Sequence, residues 1–333
     1  MNAVRVSAPV RLDFAGAWSD VAPFATRERG VVVNATLALR AHAVITPTDS
    51  GYEVSSDDLG EGTHAPDTAS LVRGGPLDLL CSALREEGAA PCRLRTWCEA
   101  PAGAGLGGSG ALGVAIVGAL RIARGKPLVP AAVAHRAWEI ETVHAERAGG
   151  MQDQYAAAFG GFNHFTFADT GDGTTVARRA VQIDPGFLEA LQAHTIICYT
   201  GHSRLSSDTI RRVMQAYSAG DSRVVAALRQ LVALGDAMAE AMERGDLDRV
   251  GALLTANWRQ QQELDDGMCT PAMAALEGAM NAAGALGGKA AGAGAGGSMF
   301  FVVRDPAAAR TAAERAGVTV LPLQWTQQGV MAE

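Results

Sequence analysis

A glycine-rich segment from Pro101 to Ser109 has the composition of a loop that binds phosphate. It follows a strand-like run, Arg93 to Glu99, and precedes an apolar helical stretch from about Gly110 to Arg124. The N-terminus of a helix presents free backbone N–H groups and the positive end of the helix dipole, and glycines let a phosphate approach the backbone closely. No Asp or Glu occurs between Glu99 and Glu139, whereas four basic residues do. We therefore predict an anion site at this loop.

The residues around the loop argue against two familiar phosphate loops. A Walker loop needs a lysine before its Ser or Thr, and Ser109 follows Gly108, which excludes that class. Gly103, Gly105 and Gly108 match the dinucleotide pattern GxGxxG, but that fold calls for an acidic residue about twenty positions later, and this stretch contains none. A nucleotide loop of another kind and a purely structural turn of small residues remain.

The composition limits the partners of the chain. Its 333 residues carry a formal net charge of −7, which argues against nucleic acid as a partner. The longest apolar run, Ala111 to Ala123, is interrupted by glycines and Arg121 and is too short to cross a bilayer. The N-terminus reads as a strand, so we expect a cytoplasmic protein with no membrane partner. Five cysteines without a CxxC pair and seven scattered histidines predict reduced thiols and no structural metal.

The periodicity of apolar residues predicts an α+β protein rather than an alternating βαβ series. The first half is rich in strands, and Ser206 to Gly284 is almost wholly helical, with breaks at Gly220, Gly245 and Gly267. A turn-forming cluster, Asp184-Pro185-Gly186, predicts a division into residues 1–185 and 186–333. The predicted strands are Arg29–Pro47, Tyr52–Ser56, Arg93–Glu99, Phe162–Phe167, Val176–Ile183, His194–Tyr199, Ser298–Arg304 and Val318–Trp325; further helices are predicted at Pro76–Glu87, Gly110–Arg124, Pro130–Arg147 and up to Ala316.

Three segments together resemble the sequence motifs of the GHMP kinases, in the same order and at similar spacing. They are Pro9 to Asp20 (PVRLDFAGAWSD), Pro101 to Ala111 (PAGAGLGGSGA) and Gly288 to Gly297 (GKAAGAGAGG). The resemblance covers nearly the full chain. It implies an ATP-dependent kinase with two lobes: an N-terminal one like domain 2 of ribosomal protein S5, and a helical, ferredoxin-like C-terminal one. ATP would lie in the cleft, with its phosphates at the middle motif, whose residues are Pro101, Gly103, Gly105, Leu106, Gly107, Gly108, Ser109 and Gly110.

Within that family, the run from Gly149 to Asn163 is similar to the D-glycero-D-manno-heptose 7-phosphate kinases, as are Tyr199 to Asp208 and Gly284 to Lys289. The first motif instead resembles the kinase domain of L-fucokinases. Both groups phosphorylate the anomeric hydroxyl, so the resemblance implies a small-molecule sugar or sugar phosphate as substrate. Two substrates remain open: a heptose 7-phosphate, which would be converted to the 1,7-bisphosphate, or an unphosphorylated sugar. A non-catalytic nucleotide- or sugar-binding protein is the alternative from another class, and both monomer and homodimer are compatible with the sequence.

The chain departs from the family pattern in each of the three motifs. The middle motif usually reads GLGSSAA, and Gly108 replaces its first serine. Ala295 stands where the last motif usually has glycine, and Ala17 stands where the heptose kinases commonly keep glycine. These changes keep the phosphate loop feasible and bear on the geometry of the sugar pocket.

The resemblance also assigns roles to polar residues. Asp153 would accept or orient the anomeric proton, and Arg11 would lower the pKa of that aspartate or stabilise charge on the transferred group. Ser109 and Glu141 match the magnesium ligands, and hard oxygen donors suit a cation that keeps water and ATP phosphates in its shell. From context alone, Asp153 could also be a helix N-cap, a role compatible with catalysis, and Glu141 could be a solvated carboxylate.

The candidate sugar-binding residues lie in three places along the chain. Asp20, Asn34 and Gln152 would bind sugar hydroxyls. Gly201 and Arg204, together with His202, lie in a segment that would reach a distal phosphate on the sugar. Lys289 would contact ATP or end its strand, and is left outside the catalytic set.

Overall fold

The computed structural model describes residues 3–170, 174–201 and 206–333, and the prediction of an α+β protein is confirmed. The elements up to residue 180 are β1 (Val4–Ala15), α1 (Phe24–Arg27), β2 (Gly30–Pro47), β3 (Tyr52–Ser56), β4 (Glu61–Ala65), α2 (Asp78–Glu86), β5 (Cys92–Cys98), α3 (Gly108–Ala123), α4 (Pro130–Glu139), α5 (Gln152–Phe159), β6 (Phe162–Asp169) and β7 (Thr174–Ala180). A π-helical turn, Ile140–His144, directly continues α4.

The remaining elements contain most of the helices. They are α6 (Pro185–His194), β8 (Thr195–Tyr199), α7 (Ser206–Ser218), α8 (Ser222–Glu243), α9 (Leu247–Gln262), α10 (Pro271–Ala282), β9 (Ala285–Ala290), β10 (Ser298–Val303), α11 (Pro306–Arg315), β11 (Thr319–Leu321) and β12 (Met331–Ala332). The predicted breaks at Gly220, Gly245 and Gly267 fall between α7, α8, α9 and α10, and are confirmed. Among the described residues, no helix is both long and apolar enough to cross a membrane.

The long strand β2 organises the first sheet. One edge of β2 pairs with β1, and the other pairs with β5 towards its C-terminal end and with β6 towards its N-terminal end. The strand order is β12-β1-β2-β5-β3-β4, with β6 and β7 attached through β2. Only the β3–β5 pairing in this sheet is parallel among the described strands. Helices α3 and α5 pack on β1 and β2, and Arg11 in β1 contacts Asp153 in the first turn of α5.

The second sheet has the antiparallel order β11-β8-β10-β9, and helices α7 to α10 form an apolar core on it around the fully buried Trp258. α8 also reaches the first sheet, because Gly235 has no side chain: a Cβ there would lie 2.7 Å from Val31 Cγ1. The first sheet is built from residues of β1 to β7 and β12, and the second from β8 to β11. The division of the chain between residues 185 and 186 stays a prediction.

Three local predictions need correction. The helix expected over Pro130–Arg147 ends with the π turn at His144, after which the chain turns through Glu146 at φ +51°. The last strand is only Thr319–Leu321, because Pro322 has no N–H to extend the ladder. The cluster at Asp184 is a helix start rather than a plain turn: Asp184 caps α6, and Pro185 is its first residue.

The glycine-rich stretch before Ala290 is a strand that the sequence pattern did not indicate. In β9, a Cβ on Gly287 would lie 1.8 Å from the carbonyl oxygen of Gly251, and one on Gly288 would lie 2.1 Å from the Phe301 ring. Glycine is therefore required here for close packing against α9 and β10, not for a turn.

The segment after β11 returns to the first sheet. Trp325 packs against Phe14 and Phe162, with ring centroids 5.8 and 5.2 Å apart. The backbone N–H of Val330 donates to the carbonyl of Ala158, 3.2 Å away, near the end of α5. This segment therefore supports α5 from the end opposite to Asp153.

Candidate active site

Arg11 on β1 and Asp153 in α5 form an ion pair between residues 142 positions apart. Arg11 Nε and Nη2 lie 2.8 and 2.7 Å from Asp153 Oδ1, and Arg11 Nη1 donates to the carbonyl of Gly105 at 2.5 Å. The guanidinium is buried, whereas the Asp153 side chain is 28% exposed. Arg11 thus connects Asp153 to the glycine-rich loop. It binds only Oδ1 of Asp153, which leaves Oδ2 for another partner.

The charge of Arg11 is maintained by the acids around it. Burial alone would lower the pKa of Arg11, but Asp153, Asp13 and Asp20 raise it, and their effect prevails. Arg11 and Asp13 lie between two irregularities of β1, where the register with β2 shifts before Arg11 and again after Asp13. Bulges of this kind redirect side chains, so the first motif presents both residues towards the site.

Asp153 lies in the first turn of α5, and Met151 is the N-cap. The alternative that Asp153 caps its own helix is therefore wrong. Two glycines of the middle motif allow α3 to start beside it: a Cβ on Gly110 would lie 2.6 Å from Asp153 Cβ, and one on Gly107 would lie 3.2 Å from both Asp153 Cγ and Arg11 Cγ. The N-terminus of α3 consequently faces the ion pair.

The glycine-rich middle motif, Pro101 to Ala111, packs against the last motif, Gly288 to Gly297. Gly103, Gly105 and Gly107 all have left-handed backbones, with φ of +69°, +78° and +74°. A Cβ on Gly105 would lie 2.5 Å from the carbonyl oxygen of Ala291, and the N–H of Ser298 donates to the carbonyl of Ala104 at 3.0 Å. The two glycine-rich motifs therefore form one surface beside the start of α3.

The departures from the family pattern have different structural consequences. Ala295 is held at φ +59°, a left-handed conformation that costs a residue with a Cβ about 1–2 kcal/mol. At Gly108 a Cβ would lie 3.5 Å from Cys98 Sγ, an ordinary contact, so the backbone itself would accept the missing serine. Ala17 is buried.

Ser109 and Glu141 meet at the start of α3. The Ser109 hydroxyl donates to Glu141 Oε1, and Gln154 Nε2 donates to Glu141 Oε2 at 2.7 Å. Burial raises the pKa of Glu141 above its ordinary value, with Asp153 adding to the effect and the bond from Ser109 opposing it. Glu141 lies in the π turn, and such turns occur frequently at functional sites.

Asp20 and Gln152 form a second polar group next to the ion pair. The N–H of Gln152 donates to Asp20 Oδ2 at 3.0 Å, while Asp20 Oδ1 and Gln152 Oε1 are buried with no partner among the described residues. Gly150 permits this contact, since a Cβ there would lie 1.9 Å from Asp20 Oδ2. Burial raises the pKa of Asp20 from 3.8 to about 6, and the charge of Asp153 adds to the effect. Asp20 Oδ1 and Gln152 Oε1 are thus two buried oxygens next to Asp153 that can accept hydrogen bonds from hydroxyl groups.

We expect Asp20→Asn to stabilise the protein at about pH 8 and to weaken sugar binding. The Asp20 carboxyl of the folded protein keeps its proton up to about pH 6, whereas that of the unfolded chain loses it near pH 3.8. The wild-type free energy of unfolding is therefore highest below pH 3.8 and falls as the pH rises to about 6. The buried charge then costs at most about 3 kcal/mol, at about 1.4 kcal/mol per pKa unit, and asparagine avoids it.

Denaturant unfolding should give a higher free energy of unfolding for Asp20→Asn than for wild type at about pH 8. This difference should shrink at about pH 4. Initial rates should show a higher KM for the sugar. A loss of stability at the higher pH would identify Asp20 as a structural partner instead.

The structure describes only some of the other candidate substrate residues, and Asn34 is paired with Asp13 in the β1–β2 ladder, its Nδ2 buried with no partner among the described residues. Asn34 is fully buried, and its amide oxygen accepts a bond of 3.2 Å from Asn163, which receives one of 2.6 Å from Arg178. Gly201 is exposed at φ +76°. The predicted phosphate contacts Arg204 and His202 lie outside the described residues.

Lys289 and Asp13 are the part of the site that sequence reasoning missed. Lys289 is the last residue but one of β9; it is fully buried, and its ammonium lies 2.6 Å from Asp13 Oδ2. Only one signal pointed to it, namely that a chain with 28 basic residues places one of its two lysines among glycines.

Family models match both halves of the chain. The model for the GHMP kinases N-terminal domain matches residues 72–161, and the model for the GHMP kinases C-terminal domain matches residues 238–318. Together they span more than half of the chain and include both glycine loops, Glu141, Asp153 and Lys289.

Named relatives and solved structures cover almost the whole chain. A D-glycero-alpha-D-manno-heptose 7-phosphate kinase of Campylobacter jejuni is 29% identical over 313 residues, which is 92% of this chain and 91% of that protein. A bifunctional fucokinase/GDP-fucose pyrophosphorylase of Arabidopsis thaliana is 28% identical over 281 residues, 78% of this chain but 26% of that larger protein. The crystal structure of a putative sugar kinase from Campylobacter jejuni superposes with a TM-score of 0.78 at 26% identity, covering 100% of this chain and 98% of that one.

Proposed function

This chain belongs to the GHMP kinase family and is an ATP-dependent sugar kinase, and we propose that it phosphorylates the anomeric (C1) hydroxyl of a heptose 7-phosphate. The predicted GHMP kinase fold is confirmed. The observation that supports the proposed chemistry is the Arg11–Asp153 ion pair at the N-terminus of α3, with the Asp20–Gln152 acceptors beside it.

The proposed roles follow from these contacts. Asp153 uses Oδ2 to orient the hydroxyl and take its proton, since both contacts with Arg11 go to Oδ1. Arg11 places a fixed positive charge beside the group that moves, which lowers the cost of charge development in a phosphoryl transfer. The left-handed glycines and the N–H groups at the start of α3 hold the phosphates of the nucleotide.

Ser109 and Glu141 have the donor chemistry for magnesium. Both supply hard oxygen atoms within hydrogen-bond contact of each other, at the start of the phosphate-binding helix. Among the described residues, no group of three or more His, Cys, Asp or Glu could hold a metal ion. A magnesium ion held by Ser109 and Glu141 would take its remaining ligands from water and nucleotide phosphates. Bound magnesium neutralises phosphate charge during transfer.

The heptose 7-phosphate is the finer part of the proposal. It is supported by the run Gly149 to Asn163, which provides Gly150, Gln152 and Asp153 to the site, and by the named heptose kinase that covers 92% of this chain. The first motif favours fucose as the second candidate, and the fucokinase relative supports that reading.

We expect a panel of sugars, assayed for ADP release, to separate these substrates. A heptose 7-phosphate should exceed the unphosphorylated heptose and fucose by at least about tenfold in kcat/KM, the value of a charge-assisted phosphate contact. Phosphate transfer should be detected at C1, and chelation of magnesium should abolish it. Equal rates with fucose would transfer the proposal to the second candidate, and ATP binding without turnover of any sugar would favour a binding protein.

A further inference from the structure

Lys289 is buried between the two sheets in a way that uses all its donors. Its ammonium donates to Asp13 Oδ2 at 2.6 Å, to the carbonyl of Asp13 at 2.9 Å and to the carbonyl of Ala290 at 2.7 Å. It also lies 5.4 Å from the centroid of the Phe300 ring. A compact ammonium with three donors fits these acceptors, whereas a planar guanidinium does not, which explains a lysine in a chain with only two lysines among its 28 basic residues.

Asp13 connects this lysine to the candidate active site. Its Oδ2 binds Lys289, while its Oδ1 accepts a bond of 2.7 Å from the N–H of Gly292 and lies 4.0 Å from Arg11 Nη1. Both Lys289 and Asp13 are fully buried, so solvent does not screen them. Asp13 therefore has two cations within reach, and Lys289 is the closer.

The same contacts hold the two glycine loops together. Gly292, held by Asp13, packs on Gly105: a Cβ on Gly292 would lie 2.7 Å from the carbonyl oxygen of Gly105. That carbonyl also accepts the bond from Arg11 Nη1. A continuous chain of contacts thus runs from Lys289 through Asp13 and Gly292 to the partner of Arg11.

We propose that Lys289 is a positioning residue for phosphoryl transfer: by neutralising Asp13, it leaves Arg11 paired with Asp153 and keeps the two glycine loops in register. The inference rests on the proposed kinase function. Without the ammonium, the buried Asp13 carboxylate would have Arg11 as its nearest cation, and the guanidinium would be drawn away from Asp153.

The test compares Lys289→Met with the double variant Asp13→Asn/Lys289→Met, which removes both charges. Turnover per folded molecule should fall by at least about thirtyfold in Lys289→Met, with KM for the sugar within about threefold of wild type. The double variant should recover kcat to within about fivefold of wild type, because a neutral residue 13 no longer competes for Arg11.

The outcomes separate the possible failures. An inactive wild-type protein would refute the kinase function itself. An active wild type with unchanged kcat in folded Lys289→Met, or a double variant no more active than the single one, would overturn the role of Lys289. If Lys289→Met does not fold, Asp13→Asn is compared with the double variant: because Lys289 acts through the Asp13 carboxylate, the two should have kcat within about fivefold of each other, and a larger further loss in the double variant would overturn the proposal.

Discussion

Asp153→Asn should yield a folded protein that binds ATP and sugar but turns over at least about a hundredfold more slowly, the scale of general-base loss. Asparagine has the shape of aspartate, and Met151 rather than Asp153 is the N-cap, so α5 should form as before. The amide cannot take a proton from the sugar hydroxyl, and it carries no charge for Arg11, whose Nη2 lies 2.7 Å from the present carboxylate.

A matched control is Asp236→Asn. Asp236, on α8, also pairs with an arginine, since Arg29 Nη1 and Nη2 donate to its two oxygens at 2.8 and 2.9 Å, but that pair is exposed; Asp236 Oδ1 also lies 2.9 Å from His164 Nε2. Its removal should leave kcat unchanged and lower stability by less than about 1 kcal/mol. Thermal melts and steady-state kinetics on the same preparations measure both effects. If Asp153→Asn keeps kcat within a few-fold of wild type, Asp153 is not the base.

Gly107→Val should reduce both ATP affinity and turnover, the latter by at least about a hundredfold, as expected when reacting groups are displaced. Gly107 is the N-cap of α3 with φ +74°, where a β-branched residue is strained. Its Cβ would also lie 3.2 Å from Arg11 Cγ and Asp153 Cγ, so the two methyl groups of valine would press on the ion pair.

Gly125→Val provides the control for backbone strain at the other end of the same helix. Gly125 has φ +67°, and a Cβ there would have nothing within 4 Å. Both variants should therefore lose comparable stability, of about 1–2 kcal/mol, while only Gly107→Val loses function. Calorimetry with ATP and initial rates give the comparison. Unchanged ATP affinity in folded Gly107→Val would exclude this loop as the phosphate site.

The site was predictable to the extent that it is encoded in local motifs. Ser109, Glu141, Asp153, Arg11, Asp20 and Gln152 were each identified from motif position, and the structure brings them together around the start of α3. Their roles stay predictions that the variants above test. Asn34 was named for the same pocket, and its role also stays a prediction: its amide oxygen accepts from Asn163, and its Nδ2 is buried with no partner among the described residues. An asparagine on a buried strand does not reveal which neighbouring strand its amide will face.

Apolar periodicity and glycine position by themselves determined most of the elements: the strand Tyr52–Ser56, the helix after the glycine loop and the breaks in the helical segment all follow from local backbone preferences. Tertiary structure alone decided what depends on distant contacts. The glycines of β9 form a strand because α9 and Phe301 leave no room for side chains. Lys289 meets Asp13 across 276 residues, a pairing with no local period or spacing. Local sequence fixes which conformations a segment prefers, whereas the partner of a buried charge is set by how two sheets pack, and only the folded chain contains that information.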